Sequence, residues 1–216
     1  MRSVLVTGGT VRLGKAIVGR LRAEGWRVIT SSHRADAGAD IVADLAEPMG
    51  AAKLYAAALQ MLGGTPPDAL VNNAALFTGD DAAIAAVNLE APKKLTMLMA
   101  GRETGMGAVV NVLDAKALDG ARQQSTAADS YRNAKRELAA FTRSSAATFA
   151  ATLRVNGVAP GPVMAPTNVH EKAGEMLLDR RPTADDVAAA VSYLLSAEAT
   201  TGAIIPVDAG QHLVTE

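Results

Sequence analysis

The sequence predicts an α/β fold in which one doubly wound parallel sheet of about seven strands is flanked by helices. Two patterns predict it. Short apolar runs recur along the chain, and between them lie stretches with apolar residues at helical spacing. The connections are short, and strands that alternate with helices in this way require a parallel sheet covered on both faces. At 216 residues, 49% of them hydrophobic, the chain is sized for one such unit. No linker, repeat or low-complexity segment divides it, so residues 1–216 are expected to form one domain.

Val4-Leu5-Val6-Thr7 reads as a buried strand ended by Gly8-Gly9. Arg12 to Glu24 carries Leu13, Ala16, Ile17, Val18 and Leu21 on a helical stripe, closed by Gly25. Trp26 to Thr30 is a second strand, running into Ser31-Ser32-His33-Arg34, and Ile41-Val42-Ala43 is a third, ending at Asp44. Pro48 to Leu62 is helical, and Gly63-Gly64-Thr65-Pro66-Pro67 is a turn. Ala69-Leu70-Val71 is a fourth strand leading to Asn72-Asn73-Ala74, and helical stretches follow over Asp81–Val87 and Ala91–Glu103. Ala108 to Leu113 is a fifth strand ending at Asp114. A long alanine-rich helix opens at Tyr131, Arg154 to Val158 is a sixth strand, and Ala203 to Val207 is the last. Thr183-Ala184-Asp185-Asp186 is a capping-box-like start for a helix through Leu195.

Composition narrows the function. Net charge is −1 with both signs mixed throughout, which leaves no nucleic-acid footprint and no polybasic membrane patch. Apolar runs are interrupted before bilayer-spanning length, and the amino terminus lacks the hydrophobic region of a secretory signal. There is no cysteine, and His33, His170 and His212 show no metal-ligand spacing. The expectation is a soluble, cytoplasmic, metal-free protein acting on a small molecule.

In a doubly wound sheet, ligands bind beyond the carboxyl ends of the strands, where Gly8, Arg34, Asp44, Asn72, Asp114 and Pro160 fall. Thr7 to Gly14 is a glycine-rich strand–helix turn. Its glycines let the backbone approach a pyrophosphate, which a helix amino terminus favours. After the second strand a carboxylate would bind the ribose 2′-hydroxyl of NAD, whereas an arginine accommodates a 2′-phosphate. Here the strand ends in Ser32-His33-Arg34, with no carboxylate until Asp36. Arg34, supported by Arg12 in the glycine turn, therefore points to NADP(H). Tyr131 and Lys135 stand one helical turn apart, and an ammonium beside a phenol is expected to lower its pKa towards use as a proton donor or acceptor.

Thr7-Gly8 with Gly14, Asn72-Asn73-Ala74, Asn88, Tyr131 with Lys135, and Pro160-Gly161 follow one another in the order of the short-chain dehydrogenase/reductase motifs. The closing Thr201-Gly202 and Val207-Asp208-Ala209-Gly210 also resemble that family's end. The resemblance covers essentially the whole chain. It implies a Rossmann-type fold, a nicotinamide cofactor and a homotetramer or homodimer. It implies Tyr131 as proton donor, Lys135 as the group that lowers its pKa and holds the nicotinamide ribose, and Asn88 as the residue that positions a water. The cofactor contacts it implies are Gly8, Arg12, Leu13 and Gly14 in the turn, and His33 and Arg34 after the second strand. Asp44 and Leu45 would lie near the adenine, with Asn72, Ala74, Pro160 and Gly161 along the groove beside Tyr131 and Lys135.

Most members place a serine after the fifth strand, where this chain has Asp114. An ionised carboxylate only accepts hydrogen bonds, so it suits a substrate that presents N–H groups or needs a proton at nitrogen. That replacement, with Arg12, His33-Arg34 and Phe77, is similar to the pteridine reductases and dihydromonapterin/dihydrofolate reductases, in which a phenylalanine stacks the pterin. The substrate set is then Phe77, Asp114 and Tyr131, with Tyr131, Lys135, Asp114 and Asn88 catalytic. The alternatives are a reductase of a ketone or aldehyde, and a non-catalytic NADP-binding protein. Val163 to Arg181 occupies the place of a substrate lid, and His170 and Glu171 within it read as a solvated loop. Trp26 is expected to pack at the sheet edge, and His212 near a subunit contact.

Overall fold

Seven parallel strands stand in the order β3-β2-β1-β4-β5-β6-β7 in the computed structural model, which describes residues 1–103, 105–118, 128–163 and 176–214. They are β1 Ser3–Thr7, β2 Arg27–Ser32, β3 Ile41–Val42, β4 Ala69–Asn72, β5 Gly107–Val112, β6 Leu153–Pro160 and β7 Ile204–Val207. The chain winds outward from β1 through β2 to β3, then crosses back to lay β4 on the other side of β1. The reversal falls between β1 and β4, the place where such sheets open a ligand crevice.

Helices α1 (Arg12–Ala23) and α6 (Ala184–Ser196) cover one face, and α2 (Gly50–Met61), α4 (Ala91–Ala100) and α5 (Ala128–Thr148) cover the other. The strands sort their side chains between these layers with a period of two. Val4, Val6, Val28, Val71, Val110 and Val158 pack under α1 and α6, whereas Leu5, Ile29, Leu70, Val109 and Val155 pack under the other layer. That division explains why the strands read as continuous apolar runs. Trp26, expected at the sheet edge, is buried on the α1/α6 side with Arg2 lying 4.3 Å from its ring centroid. It precedes β2, an interior strand, so its large ring is covered by the helix layer.

Two further differences matter for the site. The helix expected to open at Tyr131 begins at Ala128, which places Tyr131 inside its first turns. The stretches expected as two helices, Asp81–Val87 and Ala91–Glu103, form one run: α3 (Asp81–Ala85), a wider π turn (Ala86–Glu90), then α4. The Ala91 N–H bonds the carbonyl of Ala86, five residues back. Pro92 gives a physical reason, since it has no N–H to offer the carbonyl of Asn88 four residues earlier.

The capping box at Thr183 and Asp186 forms as the sequence suggests. The other end of α6 is closed from the sheet. The buried guanidinium of Arg154 on β6 donates to the carbonyls of Leu194, Leu195 and Thr200. Among the described residues no helix is long and apolar enough to cross a membrane, and no group of three His, Cys, Asp or Glu is placed to hold a metal ion.

Candidate active site

The glycine turn between β1 and α1 is built from backbone. A Cβ on Gly14 would stand 2.0 Å from the carbonyl oxygen of Gly8, so only glycine lets the first turn of α1 fold against the end of β1. Gly8 itself lies at φ 62°, with an added Cβ 3.0 Å from the Cα of Ala74. The amino end of α1 has no side-chain cap and no acidic residue in its first turn, which leaves its N–H groups for an anion. These features fit a pyrophosphate. Arg12 is exposed at the start of α1, and Leu13 is half-buried beside it.

Asn73 fixes the turn to β4. Its amide donates to the carbonyls of Thr7 (2.9 Å) and Gly8 (3.0 Å), while Thr7 Oγ1 accepts the N–H groups of Asn73 and Ala74. Asn72, the preceding residue, is buried: its amide donates to Asn111 Oδ1 at 2.8 Å, and Asn111 donates on to Thr142 Oγ1 at 2.9 Å. The Asn72 side chain therefore ties β4 to β5 and α5 inside the molecule, and Asn73 is the neighbour that reaches the turn. Successive residues of a strand point to opposite faces, which is the signal that separates the two amides.

On the far side of the crevice, Tyr131, Lys135 and Asp114 meet. Asp114 follows β5 and caps the short helical turn Ala115–Ala117, its Oδ1 accepting the Lys116 N–H at 2.8 Å. Its Oδ2 accepts the Tyr131 hydroxyl at 3.3 Å. Lys135 is 2% exposed and donates from Nζ to the carbonyl of Val112 at 2.8 Å, lying 5.7 Å from the Tyr131 ring centroid. The exposed ring of Phe77 lies against Tyr131, centroids 4.5 Å apart and planes tilted by 32°.

The electrostatics of this group correct one expectation. Lys135 does not bring the Tyr131 pKa down; burial and the adjacent Asp114 carboxylate hold it well above its ordinary value. Burial also raises Asp114, against the opposing Lys116 N–H, the Lys135 and Lys116 charges and the Tyr131 hydroxyl. Lys135 is lowered to about 8 by burial, with Asp114 acting the other way. The tyrosine thus keeps its proton at neutral pH, and Asp114 holds one to higher pH than an ordinary carboxyl. Burial is the larger cause of the Tyr131 shift, and the Asp114 carboxylate that adds to it follows β5, outside the Tyr131–Lys135 spacing.

Asn88 lies in the π turn, fully buried. Its side chain accepts the Leu76 N–H (3.3 Å) and donates to the carbonyls of Leu76 (2.7 Å) and Ile84 (2.9 Å), which pins the loop carrying Phe77. Ser130 donates to Asp81 at 2.6 Å, joining the start of α5 to the start of α3. Asp44 is exposed, its Oδ1 accepting the Ala46 N–H, and Leu45 is buried beneath it. His33 and Arg34 are exposed after β2. Pro160 ends β6, and a Cβ on Gly161 would come within 2.6 Å of the Asp208 side chain. His212 accepts no isolated role: Asp208 Oδ2 lies 2.8 Å from its Nδ1 and accepts its N–H at 2.7 Å. A cavity of about 480 Å³ beyond β7 is lined by His212, Arg180, Leu178 and Val207, and by none of Tyr131, Lys135 or Asp114. His170 and Glu171 lie outside the described residues.

Comparison with known proteins agrees with this geometry. The family described as enoyl-(acyl carrier protein) reductase matches residues 12–212. The crystal structure of FolM alternative dihydrofolate reductase 1 from Brucella canis, complexed with NADP, superposes with a TM-score of 0.86 at 31% identity, covering 100% of this chain and 96% of that one. The granaticin polyketide synthase putative ketoacyl reductase 2 of Streptomyces violaceoruber is 31% identical, over 97% of this chain and 96% of its own length. Protein FixR of Bradyrhizobium diazoefficiens is 29% identical, over 97% and 86%. A seven-stranded sheet in this order, a glycine turn at its switch point and a buried Tyr131–Lys135 pair beside it, matched along almost the full chain, place the protein in the short-chain dehydrogenase/reductase family of oxidoreductases.

Proposed function

We propose that the protein is an NADPH-dependent reductase of a dihydropterin- or dihydrofolate-like substrate. NADP(H) is the cofactor, and when bound it supplies the hydride to a ring carbon of a C=N bond. The chain's own residues hold the cofactor, orient the substrate and deliver the proton. The glycine turn offers its backbone to the pyrophosphate, and Arg12, His33 and Arg34 offer positive or hydrogen-bonding groups to the 2′-phosphate. Asp44, Leu45, Ala74, Pro160 and Gly161 border the rest of the groove.

The observation that carries the substrate class is the cluster of Phe77, Tyr131 and Asp114. An exposed aromatic ring beside the acid gives a flat heterocycle a face to stack on. A carboxyl group whose proton is held by burial can give it to a ring nitrogen, or accept N–H groups of an amino-pyrimidine edge once ionised. Tyr131, protonated and bonded to Asp114, completes the proton path, and Lys135 supplies positive charge behind it. Asn88 joins the site through the loop that carries Phe77 and through its backbone carbonyl in the π turn, where a water would be positioned. A homodimer or homotetramer and a cytoplasmic setting belong to the same reading.

A second reading, reduction of a ketone or aldehyde, is favoured by the likeness to a ketoacyl reductase over nearly the whole chain. The test is NADPH oxidation by the purified protein with dihydromonapterin, dihydrofolate and simple ketones side by side. Turnover of the pterins is expected. Phe77→Ala should raise their KM about tenfold, the scale of one aromatic contact with its buried area. Turnover of ketones alone would replace this proposal with the second reading.

A further inference from the structure

Asp36 is the first carboxylate in the sequence after β2. In the structure it faces Arg34 fork to fork: Arg34 Nε donates to Asp36 Oδ1 at 3.0 Å and Nη2 donates to Oδ2 at 2.7 Å. This is the two-bond arrangement with which a guanidinium also grips a phosphate, so carboxylate and phosphate compete for the same donors. We propose that Asp36 is a cofactor-specificity residue, a built-in competitor that occupies Arg34 in the free protein and narrows the preference for NADP(H) over NAD(H). The proposal rests on the reading of Arg34 as the 2′-phosphate group.

Local structure keeps the competitor in place. Asp36 sits in the short helical turn Ala35–Ala37, two residues from Arg34, and the turn ends at Gly38 in the left-handed region. The Arg34 N–H donates to Ser32 Oγ at 3.1 Å, which holds the entry to the loop. At its exit, Asp40 Oδ2 accepts both the N–H and the hydroxyl of Thr30, while the Asp40 N–H donates back to Thr30 Oγ1. A carboxylate tethered this closely acts at high effective concentration. Both side chains are largely exposed, 61% and 70%, so the pair is weak enough for a phosphate to displace. An arriving 2′-phosphate must still break it and sit beside the released negative charge. NAD lacks that phosphate and meets neither cost.

The test compares dissociation constants of NADP+ and NAD+ for the wild-type protein, Asp36→Asn, Arg34→Gln and the double variant, by calorimetry at low and high salt. Asp36→Asn should tighten NADP+ about two- to fivefold, the range of an exposed ion pair, and leave NAD+ unchanged. The gain should shrink at high salt, where exposed charges are screened, and vanish in the Arg34→Gln background. Unchanged NADP+ affinity in Asp36→Asn, with wild-type preference for NADP+ intact, would overturn this proposal alone. Weakened NAD+ binding in Asp36→Asn would overturn it differently, making Asp36 a ribose ligand. Equal binding of both cofactors, unaltered by Arg34→Gln or Asp36→Asn, would overturn the 2′-phosphate reading and this proposal with it.

Discussion

At the carboxyl edge of the sheet an added Cβ on Gly14 would stand 2.0 Å from the Gly8 carbonyl oxygen, and one on Gly161 would stand 2.6 Å from Asp208. At the amino edge, Gly25, Gly63 and Gly64 have nothing within 4 Å of such an atom, and all three lie at positive φ. Gly14 and Gly161 bring pieces of the chain together, whereas Gly25, Gly63 and Gly64 only turn it. The close approaches lie beyond the carboxyl ends of β1 and β6. The amino-edge turns carry none of the site residues. Glycines that look alike in the sequence therefore answer to different physics, and substitution separates them.

The largest expected effect comes from Gly14→Ala. Its methyl group meets backbone that cannot rotate away, so a loss of more than about 4 kcal/mol in stability, or failure to fold, is expected. Gly25→Ala, with open space around it, should cost only about 1–2 kcal/mol for its left-handed conformation. Urea denaturation of the two variants measures the contrast, and equal losses would break it.

Next in size is Tyr131→Phe, which removes one hydroxyl from the side-chain-built part of the carboxyl edge. Turnover should fall about 10²–10⁴-fold, the contribution of a positioned proton donor. Cofactor affinity and folding should stay close to wild type, because the glycine turn is untouched. Steady-state kinetics with a cofactor titration distinguish this from a general loss of the site.

Smaller, and dependent on pH, is the effect of Lys135→Met. Burial lowers the folded pKa of Lys135 to about 8, against 10.5 as its ordinary value. Below pH 8 the folded protein bears the full cost of a buried ammonium. Between pH 8 and 10.5 the folded state has shed that proton while the unfolded chain keeps it, so the Lys135 contribution to stability rises with pH. Lys135→Met should therefore be more stable than wild type at pH 7, by at most about 3 kcal/mol. The difference should close as pH approaches 10.5. Denaturation at pH 7, 8.5 and 10 tests the slope, and a constant difference would remove Lys135 as its source.

The strand–helix alternation was legible because each buried run and each amphipathic stripe carries its own period, and Gly8 and Gly14 mark the switch point by type and position. The Tyr131–Lys135 pair stood out through the ordered motifs around it more than through its four-residue spacing. What was hidden depended on contacts between distant residues. The direction of the Tyr131 shift is set by its burial and by Asp114, which lies just beyond β5. The inward contact of the Asn72 side chain depends on Asn111, which comes from β5, 39 residues away in the chain. The π turn forms where Pro92 withholds an N–H, in the gap between the two helical stretches read over Asp81–Val87 and Ala91–Glu103.

Arg154 has a consequence for a helix that lines none of the Tyr131 cluster. Its guanidinium places fixed positive charge at the last carbonyls of α6, the negative end of that helix's dipole, while Asp185 and Asp186 place negative charge at the positive end. Helix α6 is thus electrostatically satisfied at both ends and anchored to β6. It shares an apolar layer with α1, and Ser192 on α6 donates to Glu24 at the end of α1. The helix whose amino end faces the cofactor groove is held at its opposite end by a neighbour that is itself clamped to the sheet.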